Sequence, residues 1–223
     1  MTPTIAGLVL AAGAGNRLGT PKAALPWAGR TLLDHAVTRL RDGGCDPVHA
    51  VIGAAADRIR TATTVPVHFV HNPHWPDGMG GSLRAGLRAL PGTADAVVVI
   101  LVDQPGITAE AVTRIRTALA TGAPIARAGY RRDTGRPRPD TGPRPGRDTG
   151  LRPGHPVGFA QPLWTRLADA VHDDVGARDF LAAHPELITT IDCTDTGNPD
   201  DIDTPAQLAA ALSRLTTGRG EGS

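Results

Sequence analysis

The sequence predicts an α/β fold built on a single doubly wound, mostly parallel sheet. Three observations carry that expectation. Apolar runs of strand length alternate with amphipathic runs of helix length along most of the chain. Hydrophobic residues make up 40% of the 223 positions and aromatics only 3%, so the core is aliphatic, as in strands covered on both faces. The most apolar run, Ala96-Val97-Val98-Val99-Ile100-Leu101-Val102, shows no polar alternation, which suits a strand buried on both sides.

The elements follow in order. Residues 5–10 form a short apolar run ending in glycines and read as the first strand. Thr31 opens a helix with Leu32, Leu33, Ala36, Val37 and Leu40 on one stripe, and Gly43-Gly44 stops it. Strands at 47–52 and 67–70 flank a short helix at 55–61. Ser82 is placed at the start of a helix reaching 90, in the position of an ordinary N-cap. The strand at 96–102 leads to a helix at 108–119 and a further strand at 124–128. Beyond 153 come a strand at 154–159, helices at 164–171 and 177–184, and a last strand at 187–192. Thr204-Pro205-Ala206-Gln207 is a capping box with proline at the first helical position, so it begins the final helix.

Residues 131–153 break the pattern. Asp-Thr-Gly recurs at 133, 140 and 148, with seven arginines against three aspartates, and such a stretch buries too little apolar surface to offset its ordering entropy. An arginine-rich RNA-binding arm is one reading, but no aromatic interleaves the basic residues. The expectation is one domain over 1–215, with 131–153 as a disordered low-complexity insertion and 216–223 as a flexible tail.

A formal net charge of +1 points to neither nucleic acid nor a membrane surface. Cys45 and Cys193 form no CxxC pair and fit a reducing compartment. No apolar stretch approaches the roughly 18 residues that span a bilayer, and the first residues lack the pattern of a secretory signal. The expected location is the cytoplasm.

One residue is out of keeping with the rest. Lys22 is the only lysine beside 22 arginines. It closes a glycine-rich stretch, Gly13-Ala14-Gly15-Asn16-Arg17-Leu18-Gly19-Thr20-Pro21-Lys22, directly after the first strand. An ammonium is a compact point charge, whereas guanidinium is a broad planar fork, and a narrow loop around a phosphate has room for the first. A Walker A loop is excluded, because Lys22 follows proline and precedes Ala23. A dinucleotide fingerprint is excluded as well: Leu18 occupies the third glycine position, and the second strand ends at Gly53 where an acid would hold the ribose. What remains is a long loop able to wrap a triphosphate with backbone N–H groups while Arg17 and Lys22 neutralise it. Asp103 stands at the end of the most apolar strand, where doubly wound sheets place ligands and where a carboxylate can hold Mg²⁺. A strand-end aspartate more often satisfies loop amides; beside the Lys22 loop the metal reading gains.

Four blocks in this order resemble the MobA-like NTP-transferase family, and within it the molybdenum cofactor cytidylyltransferases. They are 10–22; Asn72-Pro73-His74-Trp75-Pro76-Asp77-Gly78-Met79 with Ser82-Leu83-Arg84-Ala85-Gly86; Val102-Asp103-Gln104-Pro105; and Gly154-His155-Pro156-Val157 with Asp174-Val175-Gly176-Ala177-Arg178 and Asp201-Ile202-Asp203-Thr204-Pro205. The resemblance implies a Rossmann-like sheet of nucleotide-diphospho-sugar-transferase type. It also implies an Mg²⁺-dependent transfer of a nucleoside monophosphate from an NTP to a phosphorylated acceptor, with release of pyrophosphate. By this resemblance Lys22, Arg17 and Asp103 are catalytic, and Leu10, Ala11, Ala12, Gly13, Gly15, Arg17, Lys22, Gly78 and Ser82 bind the nucleotide. Asp103 and Asp203 hold the metal, with Asp201 as the fallback for the second. His155, Asp174 and Arg178 face the acceptor, although Asp173 stands where the family usually has glycine. Ala-Ala-Gly at 11–13 resembles relatives that use CTP, where guanylyltransferases tend to carry Ala-Gly-Gly. Expected partners are the NTP, a phosphorylated small molecule such as the pterin phosphate of molybdenum cofactor, and a molybdoenzyme or its chaperone, with no nucleic acid and no membrane. Alternatives are a guanylyltransferase of molybdenum or deazaflavin cofactor synthesis, a sugar-phosphate nucleotidyltransferase, and a non-catalytic maturation partner.

Overall fold

A computed structural model of the chain describes residues 2–131, 150–172 and 176–217. Strand β1 (Ile5–Ala11) is buried along its length, and a two-residue hairpin, β2 (Pro26–Trp27) and β3 (Arg30–Thr31), follows the glycine loop. Helix α1 (Leu32–Asp42) starts from a capping box between Thr31 and Asp34. Then come β4 (Val48–Ile52), α2 (Ala56–Ala62), β5 (His68–His71), α3 (Met79–Ala89), β6 (Ala96–Leu101) and α4 (Ala109–Ala120). The rest is β7 (Ile125–Tyr130), β8 (Arg152–Ala160), α5 (Trp164–Ala170), α6 (Arg178–Ala183), β9 (Ile188–Asp192) and α7 (Pro205–Thr217).

Seven strands form one sheet in the order β5-β4-β1-β6-β8-β7-β9. All neighbours pair in parallel except β8, which runs antiparallel to both β6 and β7. The expected doubly wound, mostly parallel sheet is therefore present. Alternation along β1 explains its two faces: Ile5, Val9 and Ala11 enter the core under α1 and α4, while Ala6, Leu8 and Leu10 enter the core under α3 and α5. Each buried valine, leucine or isoleucine among them contributes about 1.5–3 kcal/mol. The chain winds outward from β1 through β4 to β5, then returns to the other side of β1 as β6. The reversal opens a crevice beyond the carboxyl ends of β1 and β6.

Several boundaries differ from expectation. Helix α3 begins at Met79 with Gly78 as its N-cap, so Ser82 lies inside the helix rather than capping it. The β2–β3 hairpin was unexpected; its turn is made by Ala28 and Gly29, both at positive φ (49° and 85°). Strand β8 starts at Arg152, two residues inside the expected insertion, and α7 reaches Thr217, two residues into the expected tail. Residues 132–149 and 218–223 lie outside the described residues. Among the described residues no helix is long and apolar enough to cross a membrane.

Candidate active site

The loop after β1 carries the first part of the site. Gly15 adopts φ +65°, and a Cβ there would collide with the Thr20 carbonyl, so the tight return of the loop requires glycine. Leu18 N–H donates to Gly15 O at 2.9 Å and closes a single 3₁₀ turn. The amides of Gly13, Ala14 and Gly15 have no acceptor among the described residues. Unpaired amides in a row form a concavity suited to an anion.

At the end of this loop Lys22 meets two carboxylates from distant parts of the chain. Its Nζ donates to Asp103 Oδ2 at 2.8 Å and to Asp203 Oδ1 at 2.5 Å. Asp103 sits just past the end of β6, and Asp203 just before α7. The two are locked together by backbone, because Ile202 N–H donates to Asp103 O at 2.8 Å and the Ile202 side chain is buried. The α7 capping box adds to this: Gln207 Oε1 accepts from the backbone amides of Asp203 and Thr204, both at 2.9 Å. Arg17 approaches Asp203 Oδ2 at 3.8 Å from the exposed tip of the loop.

The electrostatics follow from this geometry. Burial disfavours the charge on Lys22, but hydrogen bonds to Asp103 and Asp203 outweigh it and raise the ammonium pKa. The Lys22 hydrogen bond lowers the Asp203 pKa against a smaller opposing effect of burial. Asp201 behaves differently. It accepts from Gln104 Nε2 at 2.7 Å, and burial, only partly opposed by that bond, raises its carboxyl above the usual range. Of the two acids flanking Ile202, Asp203 faces Lys22 and Asp201 is tied to Gln104.

A cavity of about 420 Å³ lies over this centre. Leu10, Ala11, Ala12, Gly13, Gly15, Arg17, Lys22, Gly78, Ser82, Asp103 and Asp203 all line it. Asn16, Trp75, Pro76 and Met79, which lie inside the stretches that carry the family resemblance but were not named as nucleotide-binding residues, line it too. Trp75 packs on Gly53, where a Cβ would stand 2.5 Å from the Trp75 Cβ. The place a dinucleotide fold reserves for a ribose-binding acid is thus filled by indole. The Ser82 hydroxyl accepts from Asn72 Nδ2 at 3.1 Å.

Whether the residues suit a divalent cation is answered by Asp103. Its Oδ1 is buried with no hydrogen-bond partner among the described residues, while Oδ2 is engaged by Lys22. An orphaned carboxylate oxygen beside a second carboxylate is a fit for Mg²⁺, which takes one or two carboxylates and completes its shell with phosphates and water. Among the described residues no three His, Cys, Asp or Glu side chains are grouped to hold a metal alone.

A second, larger cleft of about 1480 Å³ adjoins the first, sharing Leu10, Met79, Leu101 and Asp203 with it. His155 and Arg178 line it. Burial pushes the His155 imidazole down to about 4 against the pull of the Asp103 charge, so it is neutral near pH 7. Tyr130 Oη donates to His155 O at 2.8 Å and fixes that segment of β8. Asp174 lies outside the described residues. Arg127 also lines the cleft and was missed; the available signal was a charged residue among the apolar positions of the strand expected at 124–128.

The doubly wound sheet and the crevice at its switch point are those of a nucleotidyltransferase. The chain belongs to the MobA-like NTP transferase domain family, which matches residues 7–187. It is 39% identical over 212 residues to nicotine blue oxidoreductase of Paenarthrobacter nicotinovorans, covering 94% of this chain and 97% of that one. Its fold is similar to that of a Mycobacterium sp. strain JC1 homologue of Mycobacterium tuberculosis Rv0371c, with 28% identity, a TM-score of 0.76 and coverage of 96% and 97% of the two chains. Rv0371c itself, solved in complex with manganese, is 25% identical with a TM-score of 0.70, over 94% of this chain and 98% of that one.

Proposed function

We propose that this protein transfers CMP from CTP to the terminal phosphate of a phosphorylated acceptor, the pterin phosphate of molybdenum cofactor, releasing pyrophosphate. The observation that carries the reading is the convergence of Lys22 on Asp103 and Asp203 at the mouth of the smaller cavity. In that reading the amides of 13–15 and the side chains of Lys22 and Arg17 hold the triphosphate. Lys22 has three N–H donors, of which two are engaged by the carboxylates, leaving one for a phosphate oxygen. An acceptor phosphate oxygen attacks the α-phosphorus in line. The bond from that phosphorus to the bridging oxygen breaks, and its electron pair leaves with pyrophosphate. A phosphate monoester is already anionic near pH 7, so no side chain has to remove a proton. Lys22 and Arg17 offset the negative charge that builds up, and positioning does the rest. Asp103 and Asp203 would hold Mg²⁺, which supplies charge neutralisation at the phosphates when bound.

Ala12, lining the nucleotide cavity, supports the smaller pyrimidine base by family analogy. The location that suits these substrates is the cytoplasm. The test is pyrophosphate release from each of the four NTPs with Mg²⁺ and the pterin phosphate, alongside a thermal-shift panel of the same nucleotides. Release and selective stabilisation by CTP support the reading. Preference for GTP replaces it with a guanylyltransferase, and stabilisation without release indicates a binding partner that does no chemistry.

One observation favours a second reading: the relative at 39% identity is named an oxidoreductase. A reductase would oxidise a reduced nicotinamide cofactor with a quinonoid dye as acceptor, and that assay decides against it if absorbance at the nicotinamide band stays constant. The Trp75 side chain packed on Gly53 speaks against dinucleotide binding in the usual mode.

A further inference from the structure

The smaller cavity has two unlike ends. At one, Lys22, Asp103 and Asp203 meet beside the glycine loop. At the other, Trp75 and Pro76 make an apolar wall. Trp75 is the one aromatic side chain among the described residues that line this cavity, and it takes no part in lining the large cleft. It also differs from the other two tryptophans of an aromatic-poor chain. Trp27 and Trp164 are 4% and 8% exposed, whereas Trp75 is only half-buried. A half-buried indole presents a large apolar ring face to whatever enters beside it.

Strand register fixes how far apart the two ends are. Leu10 pairs with Leu101 on one side of β1, and Ala11 pairs with Ile52 on the other. Carried past the strand ends, these registers set Gly53, Ala12 and Asp103 at one level, with Ala12 in the middle. Ala54 N–H donates to Ala12 O at 3.0 Å and holds that level. Trp75 stands on Gly53: a Cβ there would lie 2.5 Å from the Trp75 Cβ and 2.6 Å from its Cγ, so glycine is what lets the indole come this close. The Trp75 end is therefore two strand spacings, about 10 Å, from Asp103. A ribose spans that gap when the α-phosphate lies at Asp103, and the base comes to rest against the indole.

We propose that Trp75 binds the nucleobase, its indole stacked on the face of the base while the glycine loop and Lys22 hold the phosphates. The proposal rests on the nucleotide reading of the smaller cavity and names the residue that grips the base. Every base has a π-face, and an indole stacked on it contributes affinity that a bare triphosphate cannot draw on. The pterin of the acceptor is not a rival occupant, because the large cleft adjoins at Leu10, Met79, Leu101 and Asp203 and not at Trp75.

The test titrates CTP·Mg²⁺ and, separately, inorganic tripolyphosphate·Mg²⁺ into the full chain. Tryptophan fluorescence is excited at the red edge of the indole band, where nucleotides absorb weakly, and affinities are read by calorimetry. CTP should quench the emission saturably, and tripolyphosphate should bind without quenching. Trp75→Phe should lose the quench yet keep CTP affinity within about fivefold, since a phenyl face still stacks. Trp75→Leu keeps apolar bulk on Gly53 but has no π-face. It should weaken CTP by about 5- to 100-fold and leave tripolyphosphate affinity within about twofold. A quench that persists in Trp75→Phe, equal quenching by tripolyphosphate, or a Trp75→Leu that weakens both ligands alike or neither would each overturn the proposal. CTP that binds wild type without quenching overturns it too and leaves the nucleotide reading standing. No CTP binding by wild type overturns both. If CTP quenches but no pyrophosphate is released, the transfer reading alone falls and Trp75 keeps its role.

Discussion

Replacing Lys22 by methionine removes one positive charge from between two carboxylates while keeping most of the stem. Asp103 Oδ2 and Asp203 Oδ1 both lie within 2.8 Å of Nζ, so the oxygens stand no more than about 5 Å apart. Two unit charges at that separation repel by about 1–3 kcal/mol across the effective dielectric of a partly exposed site. The pH dependence has a definite sign. The raised Lys22 pKa means its stabilisation is present below 10.5 and is lost as pH rises through the higher folded value. The lowered Asp203 pKa means its stabilisation is present above 3.8 and is lost as pH falls through the lower folded value. Lys22→Met loses both contributions, and its carboxylates now favour protonation. The gap in melting temperature between wild type and variant should therefore narrow as pH falls from about 7 to about 4. Activity should suffer far more than stability, since one donor to developing phosphate charge accounts for about 10²- to 10³-fold in rate. The assay is kcat/KM for pyrophosphate release, with the melting curve confirming a folded variant. Lys22→Arg should not restore it, because a broad planar fork does not reproduce the point contacts that the Lys22 ammonium, on a side chain only 17% exposed, makes with both carboxylates. A kcat/KM within about threefold of wild type for Lys22→Met would refute the reasoning.

Two further substitutions separate the loop from the scaffold. Gly15→Ala forces a Cβ against the Thr20 carbonyl at positive φ, so the phosphate-binding return must be redrawn. Its expected effect is a CTP KM raised by about tenfold or more with the melting temperature lowered by about 2–10 °C, and an unaltered KM would count against the loop as the triphosphate cradle. Asp34 is a scaffold residue: fully buried, its carboxylate accepts from Thr64 N at 2.9 Å, Val65 N at 3.2 Å and Thr31 N at 3.3 Å. Asp34→Ala should cost about 2–3 kcal/mol and lower the melting temperature by about 5–10 °C without changing CTP affinity; a drop of less than about 2 °C would contradict that account.

The alternation of apolar runs was enough to place most of the sheet, because buried parallel strands write nearly pure aliphatic sequence. The centre of the site was legible for a chemical reason: one lysine in an arginine-dominated chain, with aspartates at a strand end and before a capped helix. What was not legible depended on pairing across long separations. The family resemblance put Asp203 ahead of Asp201, and what the fold adds is the geometry: on either side of Ile202, Asp203 accepts from Lys22 and Asp201 from Gln104. Ser82 looked like an N-cap because Gly80 and Gly81 precede it, yet glycine at 78 with φ 109° caps the helix four residues earlier. The β2–β3 hairpin was hidden in a turn that puts Ala28 at positive φ, a conformation alanine rarely adopts.

The claim everything else depends on is that Asp103, Asp203 and the Lys22 loop together hold one metal-bound nucleoside triphosphate. Titrating CTP·Mn²⁺ into wild type, Asp103→Asn and Asp203→Asn, with free Mn²⁺ followed by its electron paramagnetic resonance signal, addresses it directly. Wild type should capture Mn²⁺ tightly only when CTP is present, and each asparagine variant should weaken that capture by about tenfold or more. Equal capture by all three proteins would contradict the account.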